Sequence, residues 1–246
     1  MPIVRAVVFD LFGTLTVDQV PAERYRLQEP VAQALGVSPV ALLGALRDTF
    51  TERATGAWGD LDQGLRALSR QLGADPSPER VAAAVALRLD AERGLARPRP
   101  GMLDLLADLR ADGTPVGVLS DCTWEVVTIW PQLPYTPFVD EAVFSVVVGA
   151  RKPARVMYDT VARGLAVDPE RILYVGDGGS NELTGARAAG MHPVLMRGSL
   201  NEPAEVSALR YDAEDNWTGE HVRDVDELRQ LLATHQLLDA GVPNNQ

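Results

Sequence analysis

The chain has 246 residues, 46% of them apolar, which is enough for one sizeable core or for a core with a smaller second domain. A formal net charge of −11 argues against nucleic acid and anionic membrane as partners. The single cysteine, Cys122, excludes an internal disulfide framework, and no apolar run approaches the roughly 18 residues that a membrane span needs. These features predict a cytoplasmic protein.

The first apolar run, residues 6–9, is rich in β-formers and predicts a strand buried on both faces. Asp10 ends the run, and Gly13 and Thr14 break the pattern that follows. A carboxylate at the carboxyl end of a buried strand lies where open α/β sheets bind their ligands. The alternative is an aspartate that only caps a turn.

Residues 17–96 form a block in which apolar residues recur at three- and four-residue spacing, as in helices. Ser38 and Ser77 are each followed by proline, which is typical of a helix N-cap and first helical position. The block therefore predicts a small, all-helical domain inserted between the first strand and the rest. Its predicted helices are 22–35, 39–49, 61–72 and 78–95.

From residue 97 onward, helix and strand patterns alternate, which predicts a doubly wound parallel sheet with helices on both faces. We expect 1–16 and 97–240 to form this α/β core domain and 241–246 to be a frayed tail. The predicted strands are 115–119, 142–148, 171–175 and 192–196. The predicted helices are 103–111, 123–130, 154–165, 180–189 and 225–238.

Polar residues end two further apolar runs of the predicted sheet. Ser120 and Asp121 close one run, and Asp177 closes another, with Glu182 beyond it. Lys152, followed by proline, lies between them. The carboxyl ends of parallel strands meet at one edge of a sheet, so these groups are expected to converge with Asp10.

This ordered set of Asp10, Ser120, Lys152 and the Gly-Asp motif at Asp177 resembles the haloacid dehalogenase (HAD) superfamily, in particular its phosphatases with a helical cap after the first motif. The resemblance covers residues 6 to about 193 and implies a Rossmann-like core with a helical cap. It implies Asp10 as a nucleophile, with Ser120 and Lys152 as further catalytic groups on the phosphoryl group. The Mg²⁺ ligands that it implies are Asp10, the backbone carbonyl of Phe12, Asp177 and Glu182, the last directly or through water.

Substrate contacts are expected from both domains. Ser120, Asp121 and Lys152 are the candidate phosphate-binding residues of the core, whereas Arg47 and Arg53 are candidate cations of the cap. Ordinary helical surface charge is the alternative for both cap arginines. Arg151, beside the lysine, is expected on the surface.

Phe12 departs from the phosphatase pattern, which usually has a second aspartate at this position as general acid and base. General acid–base help is typically worth about 10²–10⁴-fold in rate. Either the leaving group is already a good one, another residue supplies the proton, or turnover is slow. Haloacid dehalogenases also lack this aspartate, since a halide needs no proton, so Phe12 is compatible with both reactions.

Asp177 favours the phosphatase, because the dehalogenases that the chain resembles use no metal and lack this acid. We therefore expect a Mg²⁺-dependent hydrolase of a small phosphorylated metabolite that works through an aspartyl phosphate. One alternative is a metal-free 2-haloacid dehalogenase, in which Asp10 attacks carbon. The other is a weakly active or non-catalytic protein that binds a phosphorylated ligand. The substrate's identity and the oligomeric state are left open.

Overall fold

A six-stranded sheet, with every strand pairing parallel, organises the fold in the order β3-β2-β1-β4-β5-β6. The structure is a computed structural model that describes residues 4–18, 21–197, 214 and 216–238. The strands are β1 (Ala6–Phe9), β2 (Val116–Ser120), β3 (Glu141–Phe144), β4 (Ile172–Gly176), β5 (His192–Met196) and β6 (Glu220–Val222). The predicted doubly wound parallel sheet is confirmed.

The central strand β1 is buried on both faces, as its uninterrupted apolar sequence predicts. Val7 and Phe9 pack into the hydrophobic cluster on one face of the sheet, and Ala6 and Val8 pack into the cluster on the other. Side chains alternate between faces along a strand, so four apolar residues in a row require cover on both sides. Helices supply that cover.

The helices before β2 are α1 (Pro21–Leu35), α2 (Pro39–Asp48), α3 (Phe50–Ala54), α4 (Leu61–Gln71), α5 (Pro78–Leu95) and α6 (Met102–Ala111). Those after β2 are α7 (Trp124–Ile129), α8 (Ser145–Val148), α9 (Arg155–Leu165), α10 (Glu182–Ala188) and α11 (Val225–Thr234). Helices α1, α2, α4 and α5 share a hydrophobic cluster of their own, separate from both sheet clusters. The helical cap is therefore built around its own core.

The caps predicted at Ser38 and Ser77 are present, because each hydroxyl accepts a hydrogen bond from the backbone N–H three residues on. Thr16 and Pro98 form an isolated antiparallel bridge where the chain leaves and re-enters the sheet domain. Nη2 of Arg99 donates to the carbonyl of Gly13 at 2.6 Å and to Asp18 at 3.0 Å, which ties the two connections together. The boundaries at 16/17 and 96/97 lie at this crossing and stay a prediction.

Two predicted elements around the site differ from the structure. The strand predicted over 142–148 ends at Phe144, and Ser145 begins a helical turn, because its hydroxyl accepts from the N–H of Cys122 at 2.9 Å and donates to that residue's carbonyl. The helix predicted from residue 180 begins at Glu182, because Ser180 and Asn181 adopt left-handed backbone angles, with φ of 57° and 51°.

Other differences concern the ends of the chain and two short elements. Helix α3 and strand β6 were not predicted, and the last helix ends at Thr234 rather than at residue 238. The tail predicted over 241–246 lies outside the described residues. Within the described residues, no single helix has the length and apolar content of a membrane span; α1 and α2 reach it only as a pair bent by 104°.

Candidate active site

The carboxyl ends of β1 and β4 meet at the point where the strand order of the sheet reverses. Asp10 follows β1, Asp177 follows β4, and the N–H of Asp10 donates to the carbonyl of Val175 at 2.9 Å. In open α/β sheets the crevice at this switch point is where ligands bind. The structure thus brings together two acids that are far apart in the sequence.

The turn after β1 has a backbone shape that lets Asp177 approach. Gly13 has a φ of +83°, in the left-handed region that favours glycine. A Cβ at this position would overlap Oδ2 of Asp177. Phe12, one residue earlier, is extended and only half-buried, and it packs beside the main hydrophobic cluster of the sheet. Gly13 is therefore required by the contact between the two acidic strand ends.

Lys152 lies between two buried acids. Its Nζ donates to Oδ1 of Asp10 and to Oε2 of Glu182, each at 2.6 Å. Burial raises the pKa of Asp10 to about 6, although Lys152 opposes the shift. Burial likewise raises the pKa of Glu182 to about 8. Burial alone would lower the pKa of Lys152, but attraction to the two acids holds it well above its ordinary value.

The three predicted carboxylate ligands of the metal converge, and the part of the Phe12 carbonyl stays a prediction. Carboxylate oxygens of Asp10, Asp177 and Glu182 all lie within 4.8 Å of one another. Hard oxygen donors of this kind suit Mg²⁺, which is usually bound by one or two carboxylates and keeps several waters. The donor set of the described residues therefore fits the ion, and its binding here stays a prediction.

Glu182 differs from the other two acids in its surroundings. Its Oε2 accepts from Lys152 and from the hydroxyl of Tyr174 at 2.6 Å, and its Oε1 accepts from the N–H of Gly178 at 2.9 Å. Asp10 and Asp177 line the adjoining cavity, whereas Glu182 is fully buried. These contacts suit a Glu182 that would contact Mg²⁺ through a water molecule, which is one of the two roles that the sequence left open for it.

Ser120 and Asp121 end β2 beside Lys152. Ser120 is buried, and its Oγ has no hydrogen-bond partner in the described part of the chain, so its hydroxyl can donate to an anion. Oδ1 of Asp121 accepts from the N–H of Lys152 at 2.9 Å, and Oδ2 accepts from Nε of Arg151 at 3.1 Å. Asp121 thus orients the lysine loop, and its part in phosphate binding stays a prediction.

Arg151 is not a surface residue, contrary to expectation. Its side chain is only 13% exposed, and it joins the two domains. It donates to Thr51 Oγ1 of the cap at 2.8 Å and to Ser180 Oγ of the core at 3.2 Å, and its guanidinium lies 4.9 Å from the ring centroid of Phe50. The prediction failed because burial here comes from the cap, whose position the local sequence does not specify.

A cavity of about 510 Å³ lies between the cap and the sheet edge. Both predicted cap arginines line it, but in different ways. The Arg47 side chain is 71% exposed and pairs with Asp48, whereas Arg53 is buried and donates to the carbonyl of Leu46 at 2.6 Å. Their role in substrate binding stays a prediction.

Sequence reasoning missed the polar residues that α1 and α5 contribute to this cavity, namely Arg24, Gln28, Arg88 and Glu92. Arg88 and Glu92 are one turn apart on α5 and both are buried. The sequence did contain a signal for them, because an acid and a base one turn apart lie on the apolar face of the predicted helix. Charged residues are rarely buried without a partner, so such a pair indicates a buried polar site.

Three curated relatives of this chain are named as phosphatases, which supports its assignment as a hydrolase. A stretch of 134 residues is 35% identical to the glyceraldehyde 3-phosphate phosphatase of Methanopyrus kandleri, covering 53% of this chain and 56% of that protein, little more than half its length. The enzyme of the same name from Methanothermobacter thermautotrophicus is 27% identical, over 92% of this chain and 97% of that protein. The phosphoglycolate phosphatase of Caulobacter vibrioides is 27% identical over 81% and 82%.

Solved structures share the fold. An L-2-haloacid dehalogenase from Xanthobacter autotrophicus superposes with a TM-score of 0.66 at 20% identity, covering 94% of this chain and 99% of that one. A HAD phosphatase from Thermococcus onnurineus superposes with a TM-score of 0.58 at 19% identity, over 93% and 97%. The model of the family described as haloacid dehalogenase-like hydrolase matches residues 4–190. Because that match takes in most of the chain and all four predicted motifs, the protein belongs to the haloacid dehalogenase-like hydrolases.

Proposed function

We propose that this hydrolase is a Mg²⁺-dependent phosphatase that cleaves a small phosphorylated metabolite through an aspartyl phosphate on Asp10. The observation that carries the proposal is the meeting of Asp10 and Asp177 at the switch point of the sheet, with Lys152 bonded to Asp10. A second acid facing the nucleophile suits a metal-assisted reaction. The relatives named as phosphatases support the same reading.

In the first step, a carboxylate oxygen of Asp10 attacks phosphorus, and the bond from phosphorus to the leaving oxygen breaks. Lys152 neutralises negative charge on the attacking carboxylate and on the phosphoryl oxygens. The unpartnered hydroxyl of Ser120 orients one of those oxygens. In the second step, water attacks the aspartyl phosphate, which releases phosphate and restores the Asp10 carboxylate.

Asp10, the Phe12 carbonyl and Asp177 would hold Mg²⁺, with Glu182 through water. The bound ion would supply charge stabilisation for the phosphoryl oxygens. The chain's own residues position the nucleophile and exclude bulk water, since Asp10 and Lys152 are both buried under the cap. Phe12 leaves the alcohol without a proton donor at the usual position.

The test measures phosphate release from an aryl phosphate, glyceraldehyde 3-phosphate and phosphoglycolate, with Mg²⁺ or with EDTA. Chloride release from 2-chloropropionate is followed in parallel. We expect Mg²⁺-dependent phosphate release that Asp10→Asn abolishes and that Asp104→Asn, an exposed control, retains. Chloride release in EDTA would instead establish the dehalogenase. Ligand-induced thermal stabilisation without turnover would establish a binding protein.

A further inference from the structure

Two buried hydrogen-bond acceptors at the cap end of the cavity have no partner in the described part of the chain. They are Oε1 of Gln28 on α1 and Oε2 of Glu92 on α5. Gln28 is 2% exposed and Glu92 is 7% exposed, and both line the cavity that also reaches Asp10. A buried polar atom is destabilising when it lacks a hydrogen bond, so native proteins rarely leave one unpaired.

The two acceptors lie on helices that pack against each other. Helices α1 and α5 lie side by side: a Cβ built on Gly94 would lie 3.4 Å from the side chain of Leu27. The two acceptors thus come from neighbouring helices, and both line the same cavity.

Arg88, one turn before Glu92 on α5, makes no hydrogen bond to Oε2 of Glu92. Nε of Arg88 donates to Oε1 of Glu125 on α7 at 2.8 Å. Nη2 of the same arginine lies 3.4 Å from Oε2 of Glu92, but this contact lacks the alignment of a hydrogen bond. Arg88 is thus oriented mainly by Glu125, which leaves an oxygen of Glu92 available to a ligand.

We propose that Gln28 and Glu92 form a recognition site for a hydrogen-bond-donating group, a hydroxyl or an ammonium, on the carbon chain of the substrate. This inference rests on the proposed function, which places the phosphate at Asp10 in the same cavity. A purely apolar chain would leave both acceptors unpaired. A carboxylate has no proton to donate to them, but four arginines line the same cavity, so a carboxylate is the competing ligand class that the test has to exclude. The substrate class is therefore a phosphorylated polyol or amino alcohol.

The test compares four competitive inhibitors of aryl phosphate hydrolysis: propyl phosphate, 3-hydroxypropyl phosphate, 3-aminopropyl phosphate and the phosphate ester of 3-hydroxypropionate. Inhibition constants report binding even where an alkyl phosphate turns over slowly. We expect the hydroxyl and ammonium compounds to bind about tenfold more tightly than propyl phosphate, as for a hydrogen bond to a buried charged acceptor. The carboxylate should bind no better than propyl phosphate.

Two variants test how much Glu92 and Gln28 each contribute to the preference for hydrogen-bond donors. Glu92→Gln removes the negative charge at nearly constant size, so it should abolish the preference for ammonium and retain most of that for hydroxyl. Gln28→Met removes the amide and should weaken both preferences. Gln33→Leu and Glu79→Gln, at exposed positions of the same two helices, should keep the wild-type ratios.

Equal inhibition by propyl, hydroxypropyl and aminopropyl phosphates would overturn the inference, and so would tightest binding of the carboxylate. Either result would be obtained with active enzyme, so the proposed phosphatase function would survive it. If no aryl phosphate is hydrolysed at all, the proposed function fails. The same four compounds are then compared by thermal stabilisation, where the absence of a donor preference would overturn the inference separately.

Discussion

Nζ of Lys152 donates to Oδ1 of Asp10 at 2.6 Å, across 142 positions of the sequence. Both side chains are nearly inaccessible to solvent, and the same ammonium also bonds to Glu182. A buried charge that loses its partner is strongly destabilising, whereas removing both members of a pair is often tolerated. The site is therefore a charge-balanced unit on which both stability and activity depend.

The Lys152 contacts predict that stability and activity can be separated. Lys152→Met leaves two buried acids without their cation and should lower the free energy of unfolding by about 3–5 kcal/mol. Lys152→Met combined with Glu182→Gln should regain part of that loss yet remain inactive, because Asp10 still lacks its cation. Denaturant unfolding and phosphate release provide the measurements. Restored activity in the double variant would show that Lys152 serves structure alone.

The meeting of Asp10 and Asp177 predicts a metal requirement. EDTA should abolish phosphate release, and added Mg²⁺ should restore it, because two carboxylates and a backbone carbonyl suit this ion. Asp177→Ala should remain inactive at any Mg²⁺ concentration, and Asp104→Asn should respond to Mg²⁺ as the wild type does. Full activity of Asp177→Ala in EDTA would refute the metal assignment.

Phe12 predicts a strong dependence on the leaving group. An aryl phosphate should react much faster than an alkyl phosphate, because its leaving oxygen is stable without a proton. Phe12→Asp should raise kcat/KM most for the alkyl phosphate, by at most about 10²–10⁴-fold. Equal rates for both esters in the wild type, with no gain in a folded variant, would mean that another residue is the acid.

Glu92 predicts that stability depends on pH. Burial raises its pKa above the ordinary value of 4.5, although Arg88 opposes the shift. The folded state then holds the proton more tightly than the unfolded chain, so stability is lost as pH rises from the unfolded pKa through the folded one. The Glu92→Gln variant has no ionisable group at this position and escapes this loss. Its free energy of unfolding, relative to that of the wild type, should therefore increase between pH 4 and pH 8.

Glu79, on the same helix, provides a control whose pKa shift has the opposite sign to that of Glu92. The hydroxyl of Ser77 donates to its carboxylate, which lowers the pKa of Glu79. Glu79→Gln should therefore lose stability relative to wild type as pH rises, by a small amount because the side chain is exposed. Urea unfolding of both variants at several pH values checks the pair. Parallel slopes for the two variants would contradict the assignment for Glu92.

The sequence by itself determined the parallel sheet and the helical insert. It also determined which acids stand at the strand ends of the sheet. These features depend on local patterns, such as the apolar run that ends at Asp10 and the serine–proline pairs at Ser38 and Ser77. The convergence of Asp10 and Asp177 also followed, because the carboxyl ends of parallel strands share one edge.

Only the tertiary structure decided which other side chains face the cavity. The Arg151 side chain is only 13% exposed because α3 contacts it, and the turn at Ser145 exists because its hydroxyl bonds to the backbone of Cys122. In the sequence, Gln28 and Glu92 are ordinary polar residues of two helices. Only the packing of those helices places both residues in the lining of the cavity. Each of these outcomes depends on contacts between segments far apart in the chain, and helical or strand periodicity specifies only which residues share a face, not what that face meets.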